Sequence, residues 1–570
     1  MSELRVWAPD VSTIRVRAGG SDTSLEPAGD GWWSGPELSP GVDYAFLLDD
    51  STEPVPDPAS RWQPDGVHGR SRVYDQAAYA WNDSAWTGRD LTAAVIYELH
   101  VATFTPGATF DSAIERLGHL VELGITHVEV LPVNAVNGIW NWGYDGVDWY
   151  AVHEPLGGPD AFKRFVDAAH YVGLAVVLDA VYNHLGPSGN YLPRFGPYLK
   201  PGRNTWGDLV NVEEPAVRRF IIDNALMWLR DFHVDALRLD AVHALVDDSP
   251  VHILAQLSQE VAELEQQVGR PLTLIAESDL NDPVMITPVA KGGRGMDAQW
   301  DDDVHHALHA MLTGETQGYY CDFGPIAVLA KTFTKAFFHD GTYSTFRERN
   351  HGAPIDPAKQ RGSQFVICLQ NHDQVGNRAV GDRMPEITSV GRLQIGAVLL
   401  LTSPFTPMLW MGEEWAASTR WPFFTSHPEP ELAEATGKGR VEEFSTHGWD
   451  VSQMIDPQDP DAYRTAILDW SEPASGRHLD MLTLYRQLIA LRMTESDLRD
   501  DDLSRVSVVF DEDEKWLVVH RGAFRVLVNL GSGEHRFAIS GDVVLSTGPA
   551  TVDADAIVLG ADASAIVRVH

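Results

Sequence analysis

Cysteine is nearly missing from this 570-residue chain, which has only Cys321 and Cys368. Two cysteines cannot build a disulfide framework, so a reducing compartment is expected. Positive charge is also scarce: 43 lysines and arginines stand against 81 aspartates and glutamates, a net charge of −38. That balance argues against nucleic acid and against anionic membrane surfaces as partners, and it suits a neutral substrate. No apolar run is long enough to cross a bilayer. The opening Met1-Ser-Glu-Leu-Arg-Val-Trp7 lacks the basic segment and apolar stretch of a secretion signal, so a cytoplasmic location is expected. Solenoid-period repeats and low-complexity tracts are lacking too. What remains is an ordinary globular composition, 44% hydrophobic and 22% charged. The length suits two to four domains, or one large barrel with appendages.

Residues 1–90 are rich in turn formers between short alternating runs. Leu4-Arg-Val-Trp-Ala8, Thr13-Ile-Arg-Val-Arg17 and Tyr44-Ala-Phe-Leu-Leu48 predict the strands of a small β-sandwich. Core packing is the expected use of its Trp7, Trp32 and Trp33, although such rings can also stack on sugars. From Ala94 the rhythm changes to apolar strand, then amphipathic helix, repeatedly. Eight strands are predicted, at 95–100, 127–132, 175–180, 235–240, 272–277, 297–301, 364–369 and 407–411. Asp111 is expected to cap a helix that buries Ile114, Leu117, Leu120 and Val121 and closes at Gly124. Pro159 opens another, with Phe162, Phe165, Val166 and Ala169 on one face, and a third spans about 216–232. Eight β/α alternations imply an α/β fold, a (β/α)8 TIM barrel over 91–495; a doubly wound sheet also alternates, but the count favours closure. Alternation returns after about residue 496, predicting a C-terminal β-domain to residue 570.

In such barrels the chemistry sits at the carboxyl ends of the strands. Strand three ends in Asp179-Ala-Val-Tyr-Asn-His184, strand four in Arg238-Leu-Asp240 followed by His243, strand five in Glu277, and strand seven in Asn371-His-Asp373. One carboxylate there could be a helix cap or a solvated charge, and Arg238 with Asp240 alone could be a structural ion pair. Three carboxylates on strands four, five and seven, with histidines among them, suit glycoside chemistry, which needs a carboxylate and a carboxylic acid flanking an acetal. Asp240 is expected to attack the anomeric carbon. Glu277, kept protonated, gives its proton to the leaving oxygen. Arg238 holds Asp240 ionised, and Asp373 grips sugar hydroxyls as positive charge develops. Trp140, Trp142, Tyr144, Trp149 and Trp300 supply flat apolar faces for pyranose rings, some of them serving the core instead. The competing metal reading of Asp179, Asn183, Asp301-Asp-Asp303 and His305-His306 matches no metal-ligand spacing, so no metal and no other cofactor is expected.

These four strand ends resemble the conserved regions of the α-amylase family of retaining glycoside hydrolases and transferases. The resemblance covers roughly 91–490. It implies Asp240 as nucleophile, Glu277 as acid/base and Asp373 as transition-state stabiliser, with Tyr144, His184, Arg238 and His372 lining the subsite of the reacting glucose. His243, standing where many amylases carry lysine, joins the substrate-binding set, as do Gln374 and Asn377 beside Asp373. Asn183 sits where some relatives ligate calcium, but the short connection at about 185–212 lacks the insertion that usually binds it. Trp142-Gly-Tyr-Asp-Gly-Val147, Gln299-Trp-Asp-Asp-Asp-Val-His-His306, Met411-Gly-Glu-Glu-Trp415, Trp421-Pro-Phe-Phe-Thr-Ser-His427 and Gly439-Arg-Val-Glu-Glu-Phe444 are most similar to members acting on maltooligosyltrehalose. That likeness implies hydrolysis of the α-1,4 bond next to the terminal trehalose, in functional pairing with a maltooligosyltrehalose synthase. Asp302, Asp303, His305 and His306 are expected to hold the trehalose; capping the following helix is the equal alternative. Rival functions are a glucan-branching transferase, a general intracellular α-amylase acting on α-1,4-glucans, and a non-catalytic glucan-binding protein. The last has no need of Asp240 together with Glu277.

Overall fold

The computed structural model describes residues 2–446, 451–553 and 555–570. Its centre is eight short parallel strands: β1 (Ile96–Leu99), β2 (His127–Val130), β3 (Ala175–Ala180), β4 (Ala236–Leu239), β5 (Thr273–Ala276), β6 (Ala298–Trp300), β7 (Phe365–Cys368) and β8 (Thr406–Trp410). They pair in sequence order, and β8 returns to β1 with Met408 opposite Ile96, so the barrel is closed. All eight lie where the apolar runs predicted them.

Strand alternation explains how this barrel carries a polar site. Ile96, Val177, Ala236, Ile275, Ala298, Val366 and Met408 form one buried interior layer. Two residues further along each strand the same face presents Glu98, Asp179, Arg238, Glu277, Trp300, Cys368 and Trp410. An apolar plug thus supports a charged and aromatic layer at the carboxyl rim.

Around the barrel, the first expected helix is two: α1 (Phe110–Ile114) and α2 (Leu117–Leu123). Asp111 does not cap α1. Thr109 does, its hydroxyl accepting from the Ser112 N–H while the Ser112 hydroxyl accepts from the Thr109 N–H. Asp111 instead pairs with Arg164 at 2.7 Å. Val121 is 42% exposed, because the break after Ile114 rotates α2 relative to a continuous helix. Gly124 closes α2 at φ 95°, a left-handed conformation that favours glycine. The helices α3 (Gly158–Tyr171) and α4 (Pro215–Asp231) lie as predicted, with Phe162, Phe165, Val166 and Ala169 of α3 all buried.

The N-terminal region forms a three-stranded and a four-stranded antiparallel sheet, and the C-terminal region a five-stranded and a three-stranded one. The strands expected near residues 4, 14 and 44 are present as Ser2–Trp7, Ile14–Ala18 and Asp43–Leu48. Among the described residues, no helix is long and apolar enough to cross a membrane.

Candidate active site

Arg238 is the hub of the rim. It is fully buried on β4, and its Nη1 donates to both oxygens of Asp179 (2.9 and 2.8 Å) and to Asp240 Oδ1 at 2.6 Å. Its Nη2 lies 3.7 Å from Glu277 Oε2, and the guanidinium sits over the Trp300 ring at 4.2 Å. A buried guanidinium with three carboxyl neighbours cannot lose its charge; it fixes where theirs go.

The two carboxyls expected to do the chemistry are pushed apart. Burial works against ionisation of Asp240, but the Arg238 charge, His184 and a 2.7 Å hydrogen bond from Asn183 Nδ2 outweigh it. Asp240 is therefore held below the usual carboxylate range. Burial acts on Glu277 too, and Asp240, Asp302 and Asp373 add repulsion that Arg238 does not offset. Glu277 is pushed up to about 8, so it carries its proton at neutral pH. Its Oε2 accepts a 2.6 Å hydrogen bond from the Ala241 N–H. A charged carboxylate and a protonated acid on one guanidinium are what acetal cleavage requires.

The third carboxyl, Asp373, lies in the first turn of a short helix (His372–Gly376) after β7 and is 44% exposed, the most accessible of the three. Asn377 Nδ2 donates to it at 3.3 Å. Its neighbour His372 is clamped between Glu98, which accepts from Nδ1 at 2.5 Å and from the backbone N–H at 3.0 Å, and the Tyr144 hydroxyl, 2.8 Å from Nε2. Burial opposes charge on His372, yet Asp373 and Glu98 prevail and raise it to about 9, making an imidazolium. Tyr144 also donates to Asp179 at 2.6 Å. His184 is fixed by Asn183 Oδ1 (2.5 Å) and the Tyr144 carbonyl (2.9 Å). His243 Nδ1 accepts from the Asp279 N–H at 3.2 Å. Gln374 Oε1 accepts from both Tyr319 and Tyr320, and Asn377 Oδ1 from Arg440 at 2.6 Å.

The residues after β6 divide. Asp301 is the N-cap of α5 (Asp302–Thr313), accepting from the Val304 N–H. Asp302 faces the acidic rim: burial first, then repulsion from Asp373 and Asp279, raises it to about 7. Asp303 turns away. Its buried Oδ2 accepts from Asn281 Nδ2 and from the backbone N–H groups of Phe338 and His339, all at 2.8–2.9 Å. His305 is buried against the Tyr320 hydroxyl, and His306 stacks on Tyr319 with centroids 4.9 Å apart. Asp303, His305 and His306 are thus each engaged by buried contacts of their own, whereas Asp302 is open to the rim. Asp303→Asn is expected to cost about 1–3 kcal/mol of stability while leaving the preference between glucan ends unchanged. Asp302→Asn is expected to change that preference with little loss of stability. Urea unfolding beside competitive digestion separates the two; the reverse pattern refutes the division.

Most of the aromatics named above serve the scaffold. Trp142 stacks on Trp421 at 4.4 Å, Trp140 on Tyr463 at 5.1 Å, and Trp149 is buried against Tyr182. One ring open to solvent at the rim is Trp206, 48% exposed, on the hairpin Leu199–Arg203/Asp208–Val210 after β3 and stacked on His184. The sequence pattern assigns neither Trp206 nor Glu98, under His372, to the site. Glu98 did leave a signal, a lone acid inside an otherwise apolar strand. Among the described residues no group of three or more His, Cys, Asp and Glu is placed to hold a metal ion.

Comparison with known proteins gives an independent reading. Residues 105–196 match the model of the alpha amylase catalytic domain, and residues 501–566 that of a domain of unknown function, DUF3459. The chain is 54% identical over 578 residues to a malto-oligosyltrehalose trehalohydrolase of Arthrobacter ramosus, covering 99% of both chains. It is 52% identical over 536 residues to the enzyme of that name from Rhizobium sp. (strain M-11), covering 92% of this chain and 90% of the relative. A crystal structure of a Salmonella typhimurium protein assigned to the alpha amylases superposes with a TM-score of 0.92 at 35% identity, covering 100% of this chain and 97% of that one.

Proposed function

The chain belongs to the malto-oligosyltrehalose trehalohydrolases, glycoside hydrolases of the alpha-amylase family, and from that premise we propose how its rim residues work. The enzyme hydrolyses the α-1,4-glucosidic bond next to the terminal trehalose of maltooligosyltrehalose and releases trehalose. Asp240 attacks the anomeric carbon of the glucose before that bond as Glu277 passes its proton to the glycosidic oxygen, and trehalose leaves. Glu277, now a carboxylate, takes a proton from water, and the resulting hydroxyl displaces the Asp240 ester with net retention. Asp373 holds the ring hydroxyls beside the His372 imidazolium, and Tyr144, His184 and Arg238 line the pocket that positions the glucose. His243, Asp302, Gln374 and Asn377 border the leaving side.

The observation that carries this reading is the pair on Arg238: Asp240 held ionised at 2.6 Å while Glu277 stays protonated up to about 8. We place the reaction in the cytoplasm, in trehalose biosynthesis, after a maltooligosyltrehalose synthase that makes the substrate. The net charge of −38 suits a neutral glucan and gives no anion a reason to gather. The test is a paired digestion of maltopentaosyl-trehalose and maltoheptaose at equal concentration. Fast release of free trehalose with slow cutting of maltoheptaose is expected. Equal cutting would return the enzyme to the amylases, and longer branched products would make it a transferase.

A further inference from the structure

The rim is tied to a helix that the chemistry above does not use. This is α6 (Pro430–Thr446), which carries the Gly439-Arg-Val-Glu-Glu-Phe444 stretch. Its own helix propensity is poor: Gly437 and Gly439 lie in its interior, and Val441 is 43% exposed. Polar ties place it instead. Before its first turn, Glu429 Oε1 accepts from Asn137 Nδ2 at 2.9 Å and from the Ser188 hydroxyl at 2.5 Å. Further along, Arg440 Nη2 donates to Asn377 Oδ1 at 2.6 Å and to the Gly376 carbonyl at 3.1 Å. The helix thus links the loops after β2 and β3 to the turn after β7.

A guanidinium only donates, so the Asn377 atom that meets Arg440 has to be the amide oxygen. That choice turns Nδ2 the other way, toward Asp373 Oδ1 at 3.3 Å. With the amide reversed, two donors would face each other at Arg440 and two acceptors at Asp373. Both contacts would become repulsive, so the charge on Arg440 selects one of the two amide orientations. Asp373 is then set between the Asn377 amide on Oδ1 and His372 Nε2, which lies 3.5 Å from Oδ2. The seat of Arg440 is firm. Its guanidinium lies over the Phe423 ring at 4.7 Å, and Phe423 packs edge-on against the buried Trp142 at 5.0 Å.

We propose that Arg440 is a positioning residue for glycoside cleavage: it fixes the Asn377 amide, and through it the aim of Asp373. Docking of α6 thereby becomes a condition for the rim to react. The inference rests on the role proposed for Asp373, and Asp373→Asn, measured alongside, lets the two fail separately. On maltopentaosyl-trehalose, Arg440→Ala and Asn377→Ala should each lower kcat about tenfold with KM shifted less than about twofold, since an orienting hydrogen bond acts on the transition state. The double variant should be no worse than either single one, because both break the same chain of contacts. Arg440→Lys should recover most of the loss, as an ammonium also only donates. Arg440→Gln should recover little, because its amide accepts either orientation of Asn377. Loss of the helix alone would not separate lysine from glutamine, so this pair reads orientation even where Arg440→Ala loosens α6. Unchanged kcat in Arg440→Ala overturns the inference, as do losses that multiply in the double variant or no difference between Arg440→Lys and Arg440→Gln. A raised KM at parental kcat also overturns it, by making Arg440 a substrate contact. Parental turnover in Asp373→Asn would instead sink the role proposed for Asp373.

Discussion

Asp240→Ala lowers kcat by about 10⁴-fold or more, and Glu277→Gln lowers it by about 10²–10⁴-fold, both in chains that still fold. The first loss is larger because no other group at the rim can form the bond to the anomeric carbon. The second removes the proton that the leaving oxygen needs, and glutamine cannot supply it. The pH dependence distinguishes the roles. Glu277 stays protonated up to about 8, so kcat/KM of the parent enzyme should fall above that value, and the residual activity of Glu277→Gln should lack this limb. Stability moves the other way. Because the folded state raises the pKa of Glu277 above its unfolded value, it binds a proton that the unfolded chain gives up between about 4.5 and 8, so this residue costs stability as pH rises through that window. Glu277→Gln escapes the penalty and should melt higher than the parent at pH 8, with no such gain at pH 4. Near-parental turnover in either variant would remove that residue from its role.

Arg238→Leu should cost about 3–5 kcal/mol of folding free energy, the range for breaking a buried ion-pair cluster from one side. Asp179, fully enclosed, loses two charge-assisted hydrogen bonds at once, and Asp240 loses its 2.6 Å partner. Arg238→Lys should recover little, because one ammonium cannot span Asp179, Asp240 and Glu277 while lying over Trp300. Burial holds Asp179 up near 6 even with Arg238 in place. Without it, Asp179 and Asp240 will keep protons to higher pH, so the damage should be smaller at pH 5 than at pH 7.5. Urea unfolding at both values reads this directly. A loss under about 1 kcal/mol at pH 7.5 would mean the cluster is not what holds the rim together.

Why so much of the barrel is legible in the sequence follows from alternation. Each strand is a short apolar run whose interior positions are set two apart, so a polar residue at the carboxyl end of such a run has to face the rim. That logic places Asp179, Arg238 and Glu277 without any structure. It fails where a helix decides direction. Residues 302–306 wrap more than once round α5, and only packing tells that Asp302 faces the rim while Asp303 serves the backbone of Phe338 and His339. Aromatics mislead for a related reason: Trp142 and Trp149 border the rim in sequence but point into the scaffold, whereas Trp206 is brought to it by a hairpin with weak local signals. Glu98 shows the opposite case. An acid in an apolar strand demands a buried partner without saying which, and that partner, His372, lies 274 residues away.

The central claim is that Asp240 carries the glucosyl group between the two halves of the reaction. The direct measurement is to incubate the enzyme with a 5-fluoro-α-glycosyl fluoride, which forms a glycosyl-enzyme faster than it is hydrolysed, and to map the labelled peptide by mass spectrometry. The account predicts one adduct per chain, on the peptide bearing Asp240, and none in Asp240→Ala. An adduct on another residue, or inhibition with no adduct at all, would contradict it.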